Sequence, residues 1–265
     1  MAVRDEIREQ RNSLKGQGVK AHLSYFWDYY KVPFFVVLLV LATLAYLITS
    51  IVTAKKTVFT AYFLNAGEDV SGEKAKNMSR EFGQIIGYDP EKEDVVIDLA
   101  RSIQPGNLSS QEAVSFSTVL TSGLQAGQVD ACVMDAWNFN SMAELGTFVN
   151  LHQVLSDEEF EALGDDVFYV DAAQIHGGSD ELDPKTELAR QMTTEEALAW
   201  EMKGKFVSPD PSQMQEAIPV GIRVSEYNKI TENNLYPDTE AFFGFCLNRG
   251  DYTNAKRMLE FLKGN

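Results

Sequence analysis

LTSGLQAGQVDACVMDAWNFNSMAELGTFVNL, residues 120–151, joins the end of an amphipathic helix to a short apolar run and a second helix. The apolar run, 130–135, is too short for a buried helix and follows a turn signal at Gly127, so it predicts a buried strand. Polar residues return directly after it, and a short helix is predicted to begin near Asn138. The stretch therefore predicts a helix–strand–helix unit.

The same alternation of strand and helix extends toward the N-terminus. Strands are predicted at 58–64 and 95–100, and helices at 71–86 and from Ser109 to about residue 126. Ser109 and Glu112 have the spacing of a capping box. Strands that alternate with helices pair in parallel through right-handed crossovers, which predicts an α/β sheet covered on both faces. The less regular C-terminal part predicts strands at 168–175, 218–224 and 241–247, and helices at 186–202 and 252–262.

Residues 32–54 form an apolar segment in which Tyr46 is the only ionisable residue. At ~1.5 Å per residue a helix over this segment reaches about 34 Å, enough to cross a hydrocarbon core of about 30 Å. Aromatic residues cluster just before it, as they do at the headgroup level of membranes. The segment predicts a transmembrane helix in contact with the lipid bilayer. The alternative is a cleavable signal peptide, but both the apolar segment and the leader before it are long for one.

Charge on the two sides of this segment predicts its orientation. Three lysines lie within about 20 residues before it, and two directly after it. Because basic residues concentrate on the cytoplasmic side, residues 1–31 are expected to form a cytoplasmic juxtamembrane segment. Residues 55–265 are then an extracellular domain of a bacterial cell-membrane protein with a single span and an uncleaved signal-anchor.

Composition narrows the function of this domain. The chain has 265 residues, and its 39 acidic residues exceed its 23 lysines and arginines, for a net charge of −16. All but four acidic residues follow residue 57, and a surface this negative repels phosphate backbones, so no nucleic acid partner is expected. The histidines (His22, His152 and His176) show no metal-binding spacing, and no nucleophile elbow or phosphate loop is present. The expectation is a protein that is not an enzyme, with no cofactor and no metal site.

Two cysteines, Cys132 and Cys246, each lie in an apolar run. Cysteines outside disulfides are among the most buried residues, so the first expectation is a pair of buried, inert thiols. A disulfide between them is the alternative, which an exported location would permit.

Ligand sites in open α/β sheets lie beyond the carboxyl ends of the strands. Six residues occupy such positions here and are the candidate ligand-binding residues: Asn65, Arg101, Ser102, Asp135, Trp137 and Asn138. Trp137 is the first choice, since an aromatic ring beside polar groups suits sugar-like or amino-acid-like ligands. The alternative for Trp137 is a packing role, because tryptophan buries a large area. The alternative for the other five is a role in turns.

Several short motifs occur in a recognisable order. Gly127 precedes the Asp-led strand 130–135, which is followed by the Gly-x-apolar-x-x-Leu pattern at 146–151. Residues 218–224 form a later apolar run, and 254–262 a closing amphipathic stretch. In this order the chain resembles the extracellular solute-binding proteins with the type II periplasmic-binding fold.

The resemblance covers roughly residues 57–262 and implies a periplasmic-binding-protein-like α/β domain with a reduced second lobe. Members of that family are typically secreted or lipid-anchored, whereas this chain has an apolar segment of the length of a transmembrane helix. The implied function is a membrane-anchored, solute-binding-like protein that senses or presents a small-molecule ligand. The alternative is a structural or assembly protein of the cell envelope, which would use the same fold to contact another membrane protein.

Overall fold

The computed structural model describes residues 19–67, 69, 71–104, 110–175, 195, 199, 202–203, 206–247 and 249–264. The predicted cap at Ser109, His176 and most of the predicted helix 186–202 lie outside these residues. The chain divides into two compact units, with the boundary between Ala54 and Lys55.

The described part of the first unit is a long helix, α1, at Val19–Thr53. Within it, Lys31–Ser50 is apolar and long enough to cross a membrane, and none of it is buried. A membrane anchor and a signal sequence would both have this appearance. The hydroxyls of Thr43, Thr49 and Thr53 each donate to the carbonyl four residues earlier, so these polar groups are satisfied inside the helix.

The second unit is a mixed α/β domain. Its strands are β1 Lys56–Leu64, β2 Glu93–Arg101, β3 Ala131–Asp135, β4 Val167–Asp171, β5 Ala217–Arg223 and β6 Ala241–Phe245. The α-helices for which the structure gives bounds are α2 Glu73–Ile86, α3 Gln111–Gln125, α4 Ala136–Glu144, α5 Asp157–Glu161, α6 Asn228–Glu232 and α7 Thr253–Lys263. The predicted α/β class is confirmed.

The six strands of the described residues form one sheet in the order β2-β1-β3-β6-β5-β4. β1 pairs in parallel with both β2 and β3, as the strand–helix alternation predicts. The other three pairings, β3 with β6, β6 with β5 and β5 with β4, are antiparallel. In the described part of the chain there is no second sheet, so the reduced lobe is not seen as a separate body.

A hydrophobic cluster covers each face of the sheet, because alternate strand residues point to opposite sides. The first core contains Phe59 and Phe243 from the sheet and packs against α2 and α7. The second core contains Met134 and Phe242 and packs against α3 and α4. The prediction of a sheet covered on both faces is therefore confirmed.

Polar side chains cap the first turns of α3 and α4. Ser110 caps α3, with its hydroxyl accepting from the backbone N–H of Ala113 at 3.0 Å. The sequence pattern predicts this cap at Ser109, one residue before the observed cap at Ser110. Asp135 caps α4 and is also the last residue of β3, so the strand runs into the helix without a loop.

Candidate functional site

The parallel strands β1, β2 and β3 end at one edge of the sheet, and polar residues follow each of them. Asn65 comes directly after β1, Ser102 directly after β2, and Asp135 is the last residue of β3. The carboxyl edge of parallel strands is the usual place for a ligand in an open α/β sheet.

Asn65 links the ends of β1, β2 and β3. Its backbone has a φ of 58°, a left-handed conformation that asparagine tolerates better than most residues. Its Nδ2 donates to the carbonyl of Ile103 and to Asp135 Oδ2, both at 2.7 Å. Its Oδ1 accepts from the Ser102 hydroxyl at 3.0 Å and from the backbone N–H of Ile103 at 2.8 Å. The side chain is therefore held on both its donor and its acceptor side.

Asp135 is the buried centre of the cluster, with 1% of its surface exposed. Its Oδ1 accepts from the backbone N–H of Asn138 at 3.0 Å, which caps α4. Its Oδ2 accepts from the side-chain amides of Asn65, at 2.7 Å, and Asn138, at 2.8 Å. Three N–H groups and the start of a helix stabilise its negative charge away from water.

Asn138 is fully buried, and the two polar atoms of its side chain have different surroundings. Its Nδ2 lies 2.8 Å from Asp135 Oδ2 and 3.3 Å from the carbonyl of Ile103. Exchanging the amide nitrogen and oxygen would place an oxygen against two acceptors, so the orientation is fixed by chemistry. Its Oδ1 then points away from both, and no donor reaches it among the residues that the structure describes. A buried carbonyl left unpaired costs about 1–3 kcal/mol.

Tyr236, in the first core, bonds to β1 and β3 near this edge. Its hydroxyl lies 2.9 Å from the carbonyl of Leu64 on β1 and 3.0 Å from that of Val133 on β3. Burial raises the pKa of Tyr236 well above its usual value, and the nearby charge of Asp135 adds to the effect. The sequence did not identify Tyr236, since it lies about a hundred residues after β3 and carries no local motif.

The structure does not bring the side chain of Arg101 into this cluster, although its backbone carbonyl accepts from the N–H of Asn65 at 2.9 Å. Its Nε pairs with Asp98 Oδ2 at 2.9 Å on the same strand, and its guanidinium lies 5.9 Å from the centre of the Tyr62 ring. Asn65, Ser102, Asp135 and Asn138 thus come together, and the side chain of Arg101 is held apart.

Trp137 lies in the first turn of α4 but is only 7% exposed. This burial agrees with a packing role better than with an open contact to a ligand. Trp137 as a ligand contact stays a prediction.

Two surface grooves lie away from the strand ends. One, of about 430 Å³, is lined by parts of α5 and α7 together with Ile85 and Tyr227. Within it, a hydrogen bond from Lys256 lowers the pKa of Glu159, while burial raises the pKa of Tyr227 to about 12. The other, also about 430 Å³, lies between α2 and β2. Over the described residues, no three His, Cys, Asp or Glu side chains are grouped as metal ligands would be.

No family model and no curated protein matches this sequence. Among solved structures, the chain is similar to the ABC substrate-binding protein Lmo0181 from Listeria monocytogenes in complex with cycloalternan. The two chains share 12% sequence identity with a TM-score of 0.31, and the similarity covers 78% of this chain and 75% of the other. A similarity this remote carries no weight for the function of the present chain.

Proposed function

We propose that this chain is a single-pass membrane protein whose extracytoplasmic α/β domain binds a small polar molecule at the carboxyl edge of β1–β3. It acts as a ligand-binding sensor or presenter and not as an enzyme. The observation that carries the proposal is the Oδ1 of Asn138, which has no donor among the residues that the structure describes and is buried beside an ordered cluster of polar side chains. Native proteins rarely leave such an atom without a donor.

The chemistry of the cluster defines the class of ligand. Asn138 Oδ1 is an acceptor, and the Ser102 hydroxyl keeps lone pairs free while its proton is directed to Asn65. Asp135 adds a negative charge behind them. A ligand that supplies hydrogen-bond donors, such as a polyol or a primary amine, fits this arrangement.

The anchor supports a fixed sensor over a diffusing carrier. Helix α1 contains the apolar span Lys31–Ser50, and the lysines before it favour a cytoplasmic N-terminus. A protein held at one membrane presents or reports a ligand where it is anchored.

Thermal unfolding of the full chain in detergent micelles, with a panel of polyols, amines and amino acids, tests the proposal. A ligand at about 100 times its Kd adds about 2.7 kcal/mol of stability, which for a domain of this size raises Tm by about 5–10 °C. Asn138→Ala should abolish the rise. Asn140→Ala is the matched control, because Asn140 lies on the same helix and its amide bonds to Glu144 at 3.0 Å.

Ser102→Ala is a milder second variant, since Ser102 is exposed and its loss leaves the Asp135–Asn138 contacts in place. We expect it to weaken the ligand response without lowering the Tm of the free protein much. If Asn138→Ala and Asn140→Ala respond equally to a ligand, that ligand does not bind at this cluster.

The alternative function is an envelope assembly protein. In its favour, Asn65 and Asp135 bond to each other and to Ser102, Ile103 and Asn138, as in a structural clamp of three strand ends. Failure of every ligand class to shift Tm, together with a defined stoichiometric complex with another membrane protein on sizing in mild detergent, would favour this alternative.

A further inference from the structure

Cys132 and Cys246 lie at the junction of β3 and β6, the two strands that join the halves of the sheet. Cys132 is in β3, directly opposite Gly244 of the antiparallel strand β6. Cys246 follows β6, and its backbone N–H donates to the carbonyl of Asp130 at 3.0 Å. The two cysteines are therefore diagonal neighbours across the pair of strands, and both belong to the second core.

Their sulfur atoms are in contact. The Sγ–Sγ distance is 3.5 Å, and both side chains are fully buried. Gly244 leaves the position opposite Cys132 without a side chain, and the ring of Phe148 fills the place where a Cβ at Gly244 would lie. No side chain from residue 244 therefore stands between the two thiols.

We infer that Cys132 and Cys246 form a disulfide when the chain folds in an oxidising compartment. Bond formation requires the sulfurs to approach from contact to about 2.05 Å. This inference concerns the second core and does not depend on a ligand at the carboxyl edge.

The reaction is thiol–disulfide exchange with a disulfide oxidant, either a thiol oxidoreductase or a small disulfide such as oxidised glutathione. One cysteine thiolate attacks the oxidant and forms a mixed disulfide, releasing the first thiol of the oxidant. The second cysteine attacks its partner's sulfur in that mixed disulfide and releases the second thiol. Two electrons pass from the cysteines to the oxidant's disulfide, whose sulfurs take up the two protons that the cysteines lose.

Burial decides when this exchange can occur. The thiolate is the nucleophile, and burial raises the pKa of the Cys246 thiol well above its usual value, with a further contribution from Cys132. In the folded domain neither sulfur is exposed to an oxidant or a reductant. The bond therefore forms before the domain closes and is protected afterwards.

A bond between these residues would span 114 positions of the sequence and cross the β3–β6 boundary. Such a crosslink restricts the unfolded chain strongly, because the closed loop is long. From the usual effect of a loop of this length, we expect the oxidised domain to have a Tm about 10 °C above the reduced one.

The test uses full-length protein from the membrane fraction of a bacterial host that exports it. The protein is denatured in the presence of a maleimide-polyethylene glycol reagent, with and without earlier reduction. We expect no labelled cysteine before reduction and two after it, and an unreduced mass lower by about 2 Da. Cys132→Ser and Cys246→Ser should each leave one labelled thiol without reduction.

Two labelled cysteines in the exported, unreduced protein would overturn the inference, and so would a disulfide found only between chains. Refolding the purified chain from urea with oxidised and reduced glutathione provides the second measurement. The refolded wild type should gain the Tm difference, and Cys132→Ser should show none. If wild type and Cys132→Ser have equal Tm values after refolding with glutathione and again after reduction, the disulfide does not form.

Discussion

Asp130 is a buried carboxylate, and the guanidinium of Arg249 that pairs with it is partly exposed. It is 1% exposed, and its Oδ1 lies 2.7 Å from Nε of Arg249, whose side chain is 27% exposed. Its Oδ2 accepts from the backbone N–H of Thr60 at 2.8 Å. Burial raises the pKa of Asp130, while the Thr60 N–H and the Arg249 charge oppose that rise. The folded protein therefore holds this proton to a higher pH than the unfolded chain does.

Arg249→Met should lower stability by about 2–3 kcal/mol at pH 7, because it leaves a buried charge without its partner. The pKa of Asp130 then rises further. A group with a raised folded pKa loses its stabilising contribution as pH rises through that pKa, so the deficit of the variant is full at neutral pH and shrinks toward pH 4. Urea unfolding at several pH values measures this. Lys263→Met, which breaks an exposed pair with Glu260, is the control and should change little.

The candidate ligand residues show how far single positions follow from sequence. The predicted strand ends were accurate enough to place four candidate residues at one edge of the sheet. These are Asn65, Ser102, Asp135 and Asn138. The side chain of Arg101 was not predictable, because a long side chain at a strand end can turn back along its own strand, as it does toward Asp98. The Tyr236 contacts depend on a loop distant in sequence, so no local pattern could have found them.

Two glycines let aromatic rings pack directly on the backbone of the sheet. A Cβ at Gly221 of β5 would lie 2.5 Å from the Phe139 ring of α4. The Phe139 ring in turn stacks on Phe148 with 4.4 Å between centroids. A Cβ at Gly244 of β6 would lie 2.5 Å from Phe148. Helix α4 therefore sits closer to this face than a sheet with side chains at these positions would allow.

Gly221→Ala should destabilise the domain by about 1–3 kcal/mol, since the added methyl overlaps an aromatic ring in a packed core. Chemical denaturation gives the value. In Gly221→Ala/Phe139→Leu the smaller side chain leaves room for the methyl group, so the two changes should cost less together than the sum of their separate effects. Additive effects would show that Phe139 does not determine the spacing.

The bounds of the first strands were predicted well from sequence, but the pairing of the strands was predicted only in part. Periodicity located β1, β2 and β3 to within about two residues, and strand–helix alternation predicted their parallel pairing. The insertion of β6 between β3 and β5 joins segments about a hundred residues apart. A local pattern contains no information about such pairings, because it depends only on neighbouring residues.

The proposed topology predicts that a protease outside the membrane cleaves the C-terminal end of the chain but does not reach the N-terminal end. In intact spheroplasts, added protease should remove a C-terminal tag and the acidic domain, while an N-terminal tag stays protected. The reason is the lysine excess before the apolar span. Spheroplasts lysed by detergent are the control and should lose both tags. A mature protein that begins near Lys55 and has lost its N-terminal tag would show that the apolar segment is a cleaved signal.

The position of β6 also sets the order of events while the chain is made. β1, β2 and β3 are complete once Asp135 has been synthesised, but the free edge of β3 gains its partner only with Ala241–Phe245. At usual rates of synthesis that gap lasts about 5–20 s. For that time a fully buried strand of the finished protein has an unpaired, apolar edge, which is an aggregation hazard. Covering the free edge of β3 until β6 has been synthesised would remove this hazard.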